Sequence, residues 1–122
     1  MTRDIPLRLV SEQNAREHWR VRDKRARAQR GLVALVLRGA CADARKALSR
    51  GQVVVVTLQR LMGPRARAFD AHDNLPANFK HVADAIAEDV LGVKDNDRRL
   101  VWQYADQVRH PTHAVRVTVE AR

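Results

Sequence analysis

QVVVVTLQRL, residues 52–61, is the segment around which the rest of this chain must be arranged. Its unbroken valine run reads as a strand buried on both faces, so both faces need covers. Upstream, Ile5, Leu7 and Leu9 alternate with Pro6, Arg8 and Val10, a short strand with proline near its start, as at a sheet edge. Ser11 reads as an N-cap, and the proline-free stretch from Asn14 to Gly39 as one long helix. Residues 41–50 (CADARKALSR) suit a short additional helix ending near Gly51. Downstream, Met62 to Ala68 is a basic loop with Gly63, Pro64, Arg65 and Arg67. From Asn74 to Leu91, the residues Leu75, Phe79, Val82, Ala83, Ile86 and Val90 fall on one arc of a second helix. Asn74 is its N-cap, Pro76 sits in its first turn, and Gly92 closes it. Arg98–Ala105 and Ala114–Glu120 read as strands joined as a hairpin through His110-Pro111-Thr112, with Val115, Val117 and Val119 on one face.

The order strand-helix-strand-helix-strand-strand predicts a single small α/β domain over residues 1–122, a mixed β-sheet with two main helices on one face. The other sheet face is then open. A second copy of the chain is the simplest cover for a valine-rich face, so a dimeric protein with two-fold symmetry is expected.

The chain carries 23 Lys and Arg against 14 Asp and Glu, a net charge of +9. Hydrophobic residues make up 45% of it, enough for a core and too many for a disordered polycation. No apolar run approaches the roughly 20 residues that cross a bilayer, and Met1–Val10 lacks a signal-peptide core, so a cytoplasmic protein without a membrane partner is expected. Cys41 is the only cysteine, which excludes a disulfide framework and a cysteine-based zinc site within one chain. A polycationic surface draws nucleic acids. Five aromatics (Trp19, Phe69, Phe79, Trp102, Tyr104) are too few for base-stacking platforms, so contact with the backbone of a structured or duplex nucleic acid fits better. On the long helix Arg16, Arg20, Lys24, Arg27 and Arg30 gather beside an apolar arc of Trp19, Ala26, Val33, Val36 and Leu37. Arg22 falls inside that arc, either snorkelling or facing a buried anion. With Arg65 and Arg67 of the loop, Arg16, Arg20, Lys24 and Arg27 are the candidate nucleic-acid contacts.

Between Asp70 and Asp97 the balance reverses. Seven acids (Asp70, Asp73, Asp84, Glu88, Asp89, Asp95, Asp97) stand against Lys80 and Lys94, a net of −5, leaving +14 on the remainder. Carboxylates facing a polyanion repel it unless a divalent cation intervenes, which points to Mg²⁺ or Mn²⁺ at oxygen ligands. A solvated acidic helix face accounts for the same charge. Asp70 and Asp73 lie at the junction of basic loop and second helix, Lys80 and Asp84 project in nearly the same direction as Asp73, and Asp95 and Asp97 sit in the loop before the next strand. Such carboxylates could hold metal for phosphodiester hydrolysis, with a lysine beside it to neutralise developing charge. Lys80 and Asp84 equally fit a surface pair at i, i+4, worth about 0.2–0.5 kcal/mol. His72 would add nitrogen to a hard oxygen site and reads as a surface histidine, His110 and His113 as turn residues, and Cys41 as packing.

The segments FDAHDNL (69–75), Lys80-x-x-x-Asp84-Ala85, and LGVKDND (91–97) followed by Trp102-Gln103-Tyr104 resemble the RusA-like Holliday junction resolvases of phages and prophages. SEQNAREHWRVRDKRARAQR (11–30) is similar to the phage-type members, and the likeness covers most of the chain, weakening between Gly39 and Gly51. The resemblance implies a dimeric, Mg²⁺-dependent endodeoxyribonuclease that resolves four-way DNA junctions by paired symmetric nicks in recombination and repair. It places the metal-binding and catalytic aspartates on Asp73 and Asp97, with the catalytic lysine on Lys80. The family's first aspartate usually stands two residues before the Asp-Asn pair, where this chain has Ala71, so either a bulge returns Asp70 to that role or His72 partly substitutes, with Asp95 as a further helper. Lys80 lies seven residues beyond Asp73 rather than four, and three extra helical residues add about 300° of rotation, nearly restoring direction. The competing expectation is a non-catalytic basic nucleic-acid-binding protein whose metal site has drifted. A third is a scaffold or adaptor whose charge serves only solubility.

Overall fold

The computed structural model describes residues 1–11, 18–69 and 75–122. The expected start of the long helix, Arg16, His72, the Asn74 cap and the two aspartates Asp70 and Asp73 lie outside these residues. The elements are β1 (Thr2–Ile5), α1 (Trp19–Leu37), α2 (Ala42–Ser49), β2 (Val54–Met62), α3 (Leu75–Asn78), α4 (Lys80–Asp84), β3 (Leu100–Tyr104), β4 (Val108–Arg109) and β5 (Ala114–Ala121). Without a break α4 runs into a π-helical segment, Ala85–Leu91, which Gly92 ends in the left-handed conformation at φ 73°. The helix expected over Asn74–Leu91 is therefore present in pieces. The first break falls at Phe79, whose N–H bonds Pro76 O in a three-residue turn.

The five strands form one mixed sheet in the order β1-β5-β2-β3, with β4 pairing on β2 beyond β3. β2 runs parallel to β3 and β4 and antiparallel to β5. β3 and β5 thus flank β2 on opposite sides, which corrects the expected hairpin between them. The chain must cross β2 to reach β5, and residues 105–113 make that crossing, with β4 extending β2's parallel edge.

Register explains the core. Val54, Val56 and Leu58 of β2 pair with Ala121, Val119 and Val117 of β5 and with Leu100, Trp102 and Tyr104 of β3, and strand alternation puts them on one face. That face joins Val33 and Leu37 of α1, Ala47 and Leu48 of α2, and Phe79, Val82 and Ile86 in one buried cluster. Arg30 of α1 reaches across the helical layer, with Nε and Nη2 on the two carboxylate oxygens of Asp89 at 3.0 and 2.9 Å and Nη2 also on Glu88 at 3.1 Å. The first half of α1 is exposed. Trp19 is 64% exposed, so the expected apolar arc loses its first member, while Val33 and Leu37 are buried with Gln29 and Val36 packs partly buried against the core. Arg22, read inside that arc, is also exposed.

The opposite face mixes polar pairs with Val55, Leu61 and Val101. Thr2 and Thr118 hydroxyls lie 3.1 Å apart, Thr57 Oγ1 donates to Gln103 Oε1 at 3.3 Å, and Arg116 Nε donates to Asp4 Oδ1 at 2.8 Å. Val115, Val117 and Val119 face the helices, while the opposite face keeps the Val55–Val101 pair of β2 and β3, with Val101 exposed.

Candidate functional site

Two depressions border the parallel β2–β3 pair, one alongside β3 and the other at the carboxyl end of β2. The first is a cavity of about 350 Å³ lined by Lys80, Asp84, Asp95, Asn96, Trp102 and Tyr104, with Pro76, Ala77 and Ala83 completing its wall. Each side chain reaches it for a local reason. Trp102 and Tyr104 alternate on the helix side of β3. Lys80 and Asp84 stand one helical turn apart at the two ends of α4. Trp102 Nε1 donates to Asp95 O at 2.8 Å and so holds the loop before β3 over the strand. Phe79, fully buried, sets its ring 5.7 Å from that of Tyr104 and fixes the start of α4 against β3.

The electrostatics mark Asp84. Burial pushes its carboxyl above the ordinary value, and the charges of Asp95 and Glu88 push the same way, against a partial offset from Lys80 and Arg30. Burial, and then Asp95, likewise raise the Tyr104 hydroxyl. Asp84 is thus more than a surface partner of Lys80: it lines the cavity under repulsion from Asp95.

Asp97 is not brought into this cavity. Its Oδ1 accepts from the Arg99 N–H at 2.9 Å and from Arg99 Nε at 3.0 Å, and its Oδ2 from Arg99 Nη2 at 2.8 Å. Arg99 hydrogen bonds hold its carboxyl down at about 2. Arg99 Nη1 is in turn fixed on Leu48 O at 2.7 Å, which anchors the pair toward the end of α2. Of the expected site residues, the structure joins Lys80 with Asp95 and adds Asp84, while Asp97 serves Arg99.

The second depression, a cleft of about 520 Å³, is lined by Arg8, Ser11, Arg60, Arg65, Arg67 and Phe69 together with Leu9, Val10 and Ala66. The two loop arginines expected to contact nucleic acid therefore face one concavity. On α1, Arg20 stacks 5.4 Å from the Trp19 ring centre, Arg27 pairs with Asp23 at 2.8 Å, and Lys24 is exposed. Cys41 is buried, and burial pushes its thiol up, as packing requires. His110 bonds Thr112 within its turn, and His113 accepts from Gly63 N–H at 3.3 Å.

The chemistry of the acidic cavity fits a hard divalent cation in donor type. Asp84 and Asp95 are carboxylates in mutual repulsion, which a cation would relieve. Among the described residues no three His, Cys, Asp or Glu side chains come together as a metal site. Two residues here escaped sequence reasoning. Arg60 carried a signal, a charge in register with Val54, Val56 and Leu58, whereas the hold of Trp102 on the Asp95 loop had none. In comparisons with known proteins no family model matches the chain, and no curated protein or solved structure does either.

Proposed function

We propose that this chain is a metal-dependent endonuclease acting on branched DNA such as four-way junctions. One observation carries the reading: Asp84 and Asp95 share a cavity with Lys80, the Asp84 carboxyl is pushed up by burial and by Asp95, and a cleft of arginines lies farther along β2. Asp84 and Asp95 would hold Mg²⁺ or Mn²⁺, with Asp70 and Asp73 as the expected further ligands. A bound ion of this kind supplies an activated water and stabilises charge on the phosphorus. Lys80 offers a cation to a developing negative oxygen from the rim of the cavity. Arg65 and Arg67 grip backbone phosphates, as do exposed Arg20, Lys24 and Arg27. Paired symmetric nicks need two sites, so the reading carries a two-fold dimer.

The test is cleavage of a labelled four-way junction by Asp95→Asn, Asp97→Asn, Lys80→Gln and the unaltered chain. Asp95→Asn and Lys80→Gln lose cleavage while keeping junction binding, and Asp97→Asn retains more activity than either. Full activity of Asp95→Asn removes the cavity from the account. The competing reading is a non-catalytic nucleic-acid binder, favoured by the lack of a three-ligand group among the described residues. It predicts salt-sensitive binding with no Mg²⁺-dependent nicking in any variant.

A further inference from the structure

We propose that the cleft around Arg60 is a specific binding pocket for one phosphate group, with Arg60 at its floor and Arg8, Arg65 and Arg67 at its rim. Arg60 stands on the face of β2 that Val54, Val56 and Leu58 give to the core, and it is 4% exposed. Few positions are less suited to an unpaired cation.

Its surroundings hold it rigidly without neutralising it. Nη1 donates to Arg67 O and to Gln107 Oε1, both at 2.8 Å, and the guanidinium carbon lies 3.6 Å from the Phe69 ring centre. Gln107 is fixed in turn, accepting from the Phe69 N–H at 2.9 Å and donating Nε2 to Phe69 O at 2.8 Å. Among the described residues Nε and Nη2 make no hydrogen bond, which leaves two donors on a side chain that lines the cleft. Burial, and then the positive charges of Arg8 and Arg109, push the pKa of Arg60 below the ordinary value, and among the described residues no carboxylate acts on it. Arg109 is itself engaged, donating Nη1 to Gly63 O and Ala66 O at 2.8 and 2.7 Å, which fixes the loop that carries Arg65. Arg65 adopts φ 133°, a strained backbone for a side-chain-bearing residue.

A buried guanidinium with two coplanar donors unused among the described residues, and further arginines around it, is complementary to a tetrahedral oxyanion, which accepts paired hydrogen bonds and brings negative charge. The pocket lies one strand repeat, roughly 7 Å, beyond Leu58, the register partner of Tyr104 in the acidic cavity. The inference does not rest on the nuclease reading, because a phosphate pocket serves a non-catalytic binder equally.

The test is titration of the full chain with inorganic phosphate, followed by ³¹P line width and calorimetry at fixed ionic strength, with chloride as the control anion. Saturable binding is expected, weakened at least about tenfold in Arg60→Met by the loss of charge-assisted hydrogen bonds. Arg8→Ala, an exposed rim variant, weakens it severalfold and carries the test should Arg60→Met fail to fold by circular dichroism. Arg50→Gln, an exposed charge-matched control on another surface, leaves it unchanged. A 5′-phosphorylated oligonucleotide that displaces phosphate identifies nucleic acid as its source, and failure to displace identifies a free phosphate compound; both support the pocket. Absence of saturable phosphate binding, or equal affinity in Arg8→Ala, Arg60→Met and the unaltered chain, overturns it.

Discussion

Replacing Asp84 with Asn should make the protein more stable while abolishing cleavage. The carboxylate is half-buried, and the strongest influences on it disfavour its charge: burial first, then Asp95, then Glu88. A like-charge pair at four-residue spacing costs about 0.2–0.5 kcal/mol, and the Lys80 partner at the same spacing offsets a similar amount. The Asp95 repulsion is then left over, about 0.5–1 kcal/mol for unit charges separated by 4–8 Å in water. Partial exposure screens both that repulsion and the desolvation of the half-buried carboxylate, so together they should give the amide a gain of about 0.5–1 kcal/mol at neutral pH. For a chain of 122 residues that is a rise in Tm of about 2–4 °C. The pH dependence fixes the cause. A folded-state pKa above the unfolded value means the penalty is absent when Asp84 is protonated and appears as pH rises through the folded value. The stabilisation by Asn should therefore be present at pH 7 and gone near pH 3. Calorimetric melts of both proteins across that range, without divalent cation, are the assay. A variant that is destabilised at pH 7, or a gain that persists unchanged at pH 3, refutes a carboxylate held under repulsion.

Other perturbations test the scaffold. Phe79→Ala removes a fully buried ring that supports Tyr104 and the start of α4, and urea unfolding should register a loss of about 3–5 kcal/mol. Arg30→Met cuts the bonds from α1 to Asp89 and Glu88, whose partial exposure limits the loss in thermal stability to about 1–2 kcal/mol. Asp97 should titrate by carboxyl NMR with a midpoint of about 2, and Arg99→Gln should return it toward the ordinary value of about 3.9. Because that pKa is lowered, the Asp97–Arg99 contribution is complete above the ordinary value and disappears as pH falls through about 2.

Periodicity located α2, β2, β3 and β5 because each is a local pattern: the valine run, the alternation over 115–119, the stop at Gly51. It failed where the decisive contact is distant in sequence. The hairpin expectation joined β3 to β5 because they are consecutive, but β2's long apolar edges accept a partner on each side, and only the whole sheet sets that order. The valines of β5 could be placed together but not on a particular side, because alternation tells which residues share a side, not which side the helices cover. At the site, Lys80 and Asp95 were legible as charges at an element end, and Asp84 was weighed as a mere surface pair because its burial depends on Trp102 and Tyr104. Asp97 is the converse case. It lies two residues from Asp95 and is chemically identical, yet Arg99 takes both its oxygens, and nothing in the acid spacing distinguishes the two.

The central claim is that an acidic cavity beside an arginine cleft cuts branched DNA with the help of a divalent cation. Its most direct test is incubation of the purified chain with a labelled four-way junction and a matched linear duplex, each with and without Mg²⁺. The account predicts paired nicks in the junction alone, only with Mg²⁺, and none by Asp84→Asn. Tight junction binding with no nicking under any of these conditions, by protein whose fold is confirmed, contradicts it.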